Sequence, residues 1–279
     1  MPRLDIAETI KLIDFPDKIW EWLDLFGDIV AATQSEAIYQ DKRFIADTPY
    51  KKILLYTINK DLSTLNTIYF ILRCELIHQA SSHVRLFCES LITLKYISID
   101  PNTRADLFWG YSDIEAYQIT SALLDLEKDE AKEVHVKKVE ALFQNIKEKY
   151  ERAKTIYLYV DKKNRKKPFI NWCNKHIATQ ASECGPEFKR LYKLVYKQMS
   201  AYIHGSAWSL RRQISYSRAH YDSDIVLNDI ATIVRTALVV WVEWAKFCIS
   251  TLGWRLHNTL LSLPKRLDDL DEKHFPHNA

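Results

Sequence analysis

The sequence of 279 residues is poor in glycine, with 5, and in proline, with 8. Strand-and-turn folds use both freely, so the scarcity argues against a sandwich or barrel and for helices joined by short loops. No CxxC pair occurs. Cys74, Cys88, Cys173, Cys184 and Cys248 are scattered and odd in number, which argues against a disulfide framework or a zinc ribbon. They predict reduced thiols in a cytoplasmic protein. Long apolar runs are also missing. The most apolar stretch, Thr236–Val242, is closed by Arg235 and Glu243, too short to span a bilayer, and no membrane association is expected. Met1–Phe15 carries acids and lacks the apolar centre of a secretory signal. Glycine-rich phosphate loops, a GxSxG elbow and zinc-ligand spacings are absent, which sets aside the enzyme classes built on them. Glu75-Leu-Ile-His78 is half of a di-iron ExxH arrangement, but such bundles need a second half and two further glutamates. With no second ExxH, no metal and no cofactor is expected.

What is present suits a helical core. Hydrophobic residues make up 47% of the chain, and the net charge is only +3. That charge is unevenly spread. Residues 1–30 hold 3 basic and 7 acidic side chains, whereas residues 128–170 hold 13 basic and 7 acidic. Residues 185–220 hold 7 basic side chains and a single acid.

Apolar residues recur at three- and four-residue steps through Ile19–Tyr39, Tyr50–Ile58, Leu62–Ile77, Val84–Ile99, 103–126, Pro186–His204 and Ile225–Leu252. Ser81-Ser82 offers a capping signal for the helix at Val84. Prolines at Asp14-Phe-Pro16, Thr48-Pro49, Asp100-Pro101, Lys167-Pro168 and Gly185-Pro186 stand where helices should begin. Residues 130–160 read as one long, highly charged helix with a narrow apolar stripe, suited to projecting or to engaging a protein partner. The basic run Lys162–Lys167 follows it. The expected fold class is all-α, a single multi-helix bundle of about eight to ten helices. Residues 1–48 form an N-terminal helical extension, 49–252 the core bundle, and 253–279 a charged, frayed C-terminal tail.

The candidate site lies on the segment Tyr196–Ser206. Tyr196, Ser200 and His204 are spaced i, i+4, i+8, on one stripe of a helix that Gly205 ends. His204 then sits in the last turn, where the carbonyl end of the dipole favours the imidazolium. On a second helix, Arg85 and Glu89 lie four apart. An exposed pair of this kind is worth only about 0.3–0.5 kcal/mol, so a role for them requires further partners, for which Tyr196 or His204 are candidates.

From Val84 to Ile97 the chain reads R-x-x-x-E followed by an apolar run that reaches Tyr96, and later come Trp172 and Y-x-x-x-S-x-x-x-H-x-S. In that ordered set, Arg85, Glu89, Trp172, Tyr196, Ser200, His204 and Ser206, the chain resembles the bacterial helical family catalogued as domain of unknown function 5677, over about residues 50–250. The resemblance implies an all-α cytoplasmic bacterial protein with no settled activity. More loosely, Lys197-x6-His204 is similar to the Arg-x(4–6)-His helix of HEPN ribonucleases from toxin and phage-defence systems. Those cleave RNA through its own 2′-hydroxyl at a homodimer interface, without metal. The similarity implies a HEPN-like core, RNA as substrate, His204 as the proton-moving group, Arg85 or Lys197 stabilising phosphate charge, and Ser200 and Tyr196 orienting it. The competing expectation is a non-catalytic interaction or sensor module in which Arg85, Glu89, Tyr196, Ser200 and His204 form a structural polar network.

Overall fold

The computed structural model describes residues 16–41, 45–74, 76–130, 133–203 and 223–275. Their fold is all-α apart from one hairpin. In chain order come α1 (Asp17–Asp41), α2 (Pro49–Arg73), α3 (Ile77–Ile99), α4 (Pro101–Gly110), α5 (Ser112–Glu130) and α6 (Glu133–Ala153). Strands β1 (Leu158–Val160) and β2 (Lys166–Pro168) follow, then α7 (Ile177–Glu183) and α8 (Pro186–Leu191). A π-helical turn, Tyr192–Tyr196, joins α8 to α9 (Lys197–Ile203), and α10 (Ser223–Leu252) and α11 (His257–His274) close the described chain. Two compact units result: Met1–Ile45, Leu54–Lys95 and Ala181–Ala279 make the first, Ala46–Ile53 and Tyr96–Gln180 the second.

Helix starts follow local chemistry. Thr48 Oγ1 accepts from the Lys51 amide at 3.2 Å ahead of Pro49, and Asp100 Oδ1 accepts from the Thr103 amide at 3.3 Å ahead of Pro101. Several expectations change. Tyr50–Ile58 and Leu62–Ile77 belong largely to one helix, α2. Ser81 does not cap, because α3 begins at Ile77 and the Ser81 hydroxyl donates back to the His78 carbonyl at 2.6 Å. The span 103–126 is two helices, broken at Tyr111. The C-terminal segment is helical through His274, with Pro264 inside it; its bases are tied to α1 and its Asp271 to α10.

In the first unit the core is a set of three- and four-step stripes. Trp22, Phe26 and Ile29 come from α1, Leu65, Ile68 and Leu72 from α2, Val84, Phe87 and Leu91 from α3, and Ile230, Val234, Trp241 and Trp244 from α10. The two indoles of α10 also make its polar contacts. Trp241 Nε1 donates to Thr33 Oγ1 at 2.9 Å, and Trp244 Nε1 donates to Asp61 Oδ2 at 2.9 Å. Asp61 is completely buried, and its Oδ1 accepts no hydrogen bond. Burial pushes its carboxyl up to about 7, against the nearby Ser90 hydroxyl and the Trp244 indole, which favour the charged form. On the surface, α11 is strapped to α1 by Lys273 and His274 on Glu21 and by Arg266 on Asp28 at 2.6 Å. Arg235 of α10 lies over the rings of Trp22 and Phe275 and pairs with Asp271.

In the second unit α5 and α6 form a helical hairpin, with the Tyr117 and Tyr150 rings stacked at 3.9 Å. Its buried centre is Tyr157, packed with Ile114 and Ala153 and edge-on to Tyr111 and Phe169. The Tyr157 hydroxyl donates to the Leu107 carbonyl at 2.7 Å. The long helix expected over 130–160 ends at Ala153, and the chain turns into the antiparallel pair β1–β2. The alternating, β-prone Ile156-Tyr-Leu-Tyr-Val160 accounts for that ending. Its basic turn is organised by Asp161, whose Oδ1 accepts from the amides of Lys163 and Arg165, each at 2.9 Å, and Asn164 adopts the left-handed φ of 58° that the turn requires. Pro168 therefore ends a strand and does not open a helix.

Two stability predictions follow from these cores. Because the folded-state pKa of Asp61 is raised from 3.8 to about 7, the folded chain keeps a proton that the unfolded chain has already lost between those values. The Asp61 contribution to stability therefore falls as pH rises from about 4 to about 7, by a few kcal/mol, and is lowest above that range. Denaturant midpoints from pH 5 to 8 should show the wild type losing stability relative to Asp61→Asn as pH rises. At Gly110 an added Cβ would lie 2.8 Å from the Tyr157 hydroxyl, so Gly110→Ala should destabilise the protein by about 1–3 kcal/mol in urea unfolding.

Candidate functional site

The continuous helix from Pro186 to Ile203 sorts its side chains by face. Phe188, Leu191, Val195 and Met199 are buried, while Lys189, Arg190, Lys193, Lys197 and Gln198 are exposed. Its π turn is defined by the Lys197 amide, which donates to the Tyr192 carbonyl, an i to i+5 bond. That carbonyl would receive the Tyr196 amide in an α-helix. The π turn also brings the Tyr196 backbone close to the sulfur of Cys88 on α3. Burial pushes the Cys88 thiol up to about 12, with the Tyr196 amide pulling the other way, so the sulfur is a neutral packing group.

One turn along α3 from Cys88, Arg85 reaches the same place. Its Nη2 donates to the Tyr196 hydroxyl at 2.9 Å, and its guanidinium carbon lies 4.8 Å from the centre of the Tyr196 ring. The Tyr192 ring stacks on Tyr196 at 5.2 Å and 22°. Glu89 Oε2 is 4.0 Å from Arg85 Nη2, a loose pair, with the arginine side chain 22% and the glutamate side chain 43% exposed. The junction is therefore half-open. Tyr196 uses one of the five N–H donors of Arg85, and Nε is buried without a partner. Ser200 donates its hydroxyl to the Tyr196 carbonyl at 2.7 Å, within its own helix.

Of the residues singled out in the sequence, Arg85, Glu89 and Tyr196 converge, Ser200 lies one turn beyond, and Lys197 projects to solvent. His204 and Ser206 lie outside the described residues, as do Arg211, Arg212, Arg218 and Glu75. Trp172 belongs to the second unit, buried edge-on against Tyr96 at 5.7 Å and Phe108 at 5.3 Å. Cys88 and Tyr192 were missed in the sequence, although the signal was present. Cys88 is three residues from Arg85 and Tyr192 is four from Tyr196, so each shares its partner's helix face. Among the described residues no group of acids, histidines and cysteines is arranged to hold a metal ion, and no helix is long and apolar enough to cross a membrane.

Residues 51–220 match the model of a family of unknown function, DUF5677. The chain belongs to that family. The matched span takes in α3 from Arg85 to Glu89 and the helix carrying Tyr196 and Ser200, so the junction of this DUF5677 protein lies inside the region that defines the family. No curated protein and no solved structure matches the chain.

The geometry ranks two substitutions. Tyr196→Phe removes the acceptor of a half-buried guanidinium and should cost about 1–2 kcal/mol in urea unfolding. Ser200→Ala removes only a bond to its own helix backbone and should cost less than about 0.5 kcal/mol.

Proposed function

We propose that this protein is a metal-independent ribonuclease, HEPN-like in its chemistry, acting in the bacterial cytoplasm in a toxin or phage-defence setting. One observation carries the reading. The Arg85 guanidinium of α3 is seated on Tyr196 of a helix whose open face presents Lys189, Arg190, Lys193 and Lys197. A row of exposed cations beside an arginine with spare donors suits a phosphodiester backbone, which each cation binds by releasing counterions.

In that reaction the RNA 2′-oxygen attacks the adjacent phosphorus as the 5′-oxygen leaves. A new P–O2′ bond replaces the P–O5′ bond and a 2′,3′-cyclic phosphate is formed. His204 moves the proton between the two oxygens. Arg85 or Lys197 stabilises the charge that builds on the non-bridging oxygens. Tyr196 holds Arg85 in place, and Ser200 orients the phosphate. The chemistry needs no metal.

A second reading rests on the bonds that the same groups already make within the protein. Arg85 already bonds Tyr196, and Ser200 bonds its own helix. A non-catalytic interaction or sensor module would use the set to lock α3 against the helix Pro186–Ile203, and the charged segment 130–160 to engage a partner.

The two readings separate in one experiment. Incubated with RNA in excess EDTA, the wild type should produce 2′,3′-cyclic phosphate ends. Arg85→Ala and His204→Ala should lose at least about 100-fold of that activity. Intact RNA with the wild type, or equal cleavage by both variants, removes the ribonuclease reading. A lowered melting temperature of His204→Ala without any wild-type cleavage supports the interaction module.

A further inference from the structure

The second unit contains a cleft that neither α3 nor the helix Pro186–Ile203 lines. Its volume is about 790 Å³, within the range of small-molecule sites. Leu107 of α4 and Ile156, just past α6, supply apolar lining. Four charged side chains also line it, sorted by helix. Asp106 comes from α4 and Asp113 from the first turn of α5, whereas Lys149 and Arg152 come from the last two turns of α6.

Opposite charges within reach of one another normally pair, and this region does pair charges where it can. Lys154 is bonded to Glu151, and Arg165 to Asp161 at 2.8 Å. None of the four charges in the cleft has an ion-pair partner within 4.0 Å among the described residues. Dipole complementarity explains an acid at the start of α5 and an arginine at the end of α6. It does not explain why two acids and two bases share one cleft and remain apart. A cleft that separates its acids from its bases by more than a salt-bridge length is matched by a molecule carrying a cation at one end and an anion at the other. With an apolar surface between the charges, that molecule has an apolar middle.

We propose that this cleft binds a short zwitterionic peptide. Its ammonium sits on Asp106 and Asp113, its carboxylate on Lys149 and Arg152, and an apolar side chain lies against Leu107 and Ile156. Two residues of extended chain separate the terminal charges by about 7 Å, which exceeds the reach of a direct pair. The site is independent of the ribonuclease reading, since none of its residues belongs to the Arg85–Tyr196 junction.

The test is calorimetric titration of the full-length protein with the dipeptide Ala-Leu, alongside N-acetyl-Ala-Leu and Ala-Leu amide, each of which lacks one terminal charge. Binding of Ala-Leu is expected, weakened about fivefold by either cap and about fivefold by Asp113→Asn or Arg152→Gln, with both variants melting as the wild type does. Arg152→Gln should lose discrimination between Ala-Leu and its amide while keeping discrimination against the acetylated form, and Asp113→Asn should do the reverse. Absence of Ala-Leu binding at millimolar concentration overturns the proposal. So does equal binding of the capped peptides, or affinity unchanged in both variants.

Discussion

The two indole hydrogen bonds of α10 are the constraint on which the first unit depends. Trp241 and Trp244 are fully buried, so each N–H must find an acceptor inside the core. The acceptors are Thr33 of α1 and Asp61 of α2, residues 208 and 183 positions away in the chain. Apolar stripes alone would allow α10 to slide or rotate against its neighbours. Two directional bonds to two different helices leave one register. The cost falls on Asp61, a carboxyl buried away from the surface with one oxygen unmatched, which burial drives toward its neutral form.

The π turn is the same kind of compromise at smaller scale. Inserting one residue into the helix Pro186–Ile203 interrupts its α-helical bonding, and the Tyr196 backbone comes up against the buried Cys88 sulfur. In return the Tyr196 side chain stands where Arg85 can bond its hydroxyl and Tyr192 can stack on its ring. The exposed cations of that helix are left on the open side, away from Phe188, Leu191, Val195 and Met199. A π turn, a tethered guanidinium and a basic face therefore coincide, and this coincidence supports the reading of the junction as a place where phosphate is handled.

The second unit is organised around an aromatic hydroxyl. Tyr157 donates its hydroxyl to the Leu107 carbonyl near the end of α4, where Gly110 leaves room for it, and Phe169 after β2 packs edge-on against its ring. The short hairpin returns the chain to place that phenylalanine, and Asp161 gathers the basic turn that would otherwise repel itself. Burial and the Asp113 charge push the Tyr157 hydroxyl up to about 12, so it remains a donor throughout the physiological range.

Local chemistry determined much of this in advance. Scarce glycine and three- to four-residue apolar steps dictate helices, and the acceptors ahead of Pro49 and Pro101 place two helix starts, because these effects act within a turn or two of chain. The spacing of Arg85 with Glu89, and of Tyr196 with Ser200, puts each pair on a single helix face for the same reason. What the sequence could not determine needs contacts between distant residues. Nothing near Pro264 reveals that α11 continues through it, since the ties that hold it are on α1 and α10. Nothing near Tyr192 reveals the π turn, since the groups that meet Tyr196 there, Arg85 and Cys88, belong to another helix. The bond between Arg85 and Tyr196 was decided by tertiary structure alone, because only packing brings together two helices that lie 111 residues apart in the chain.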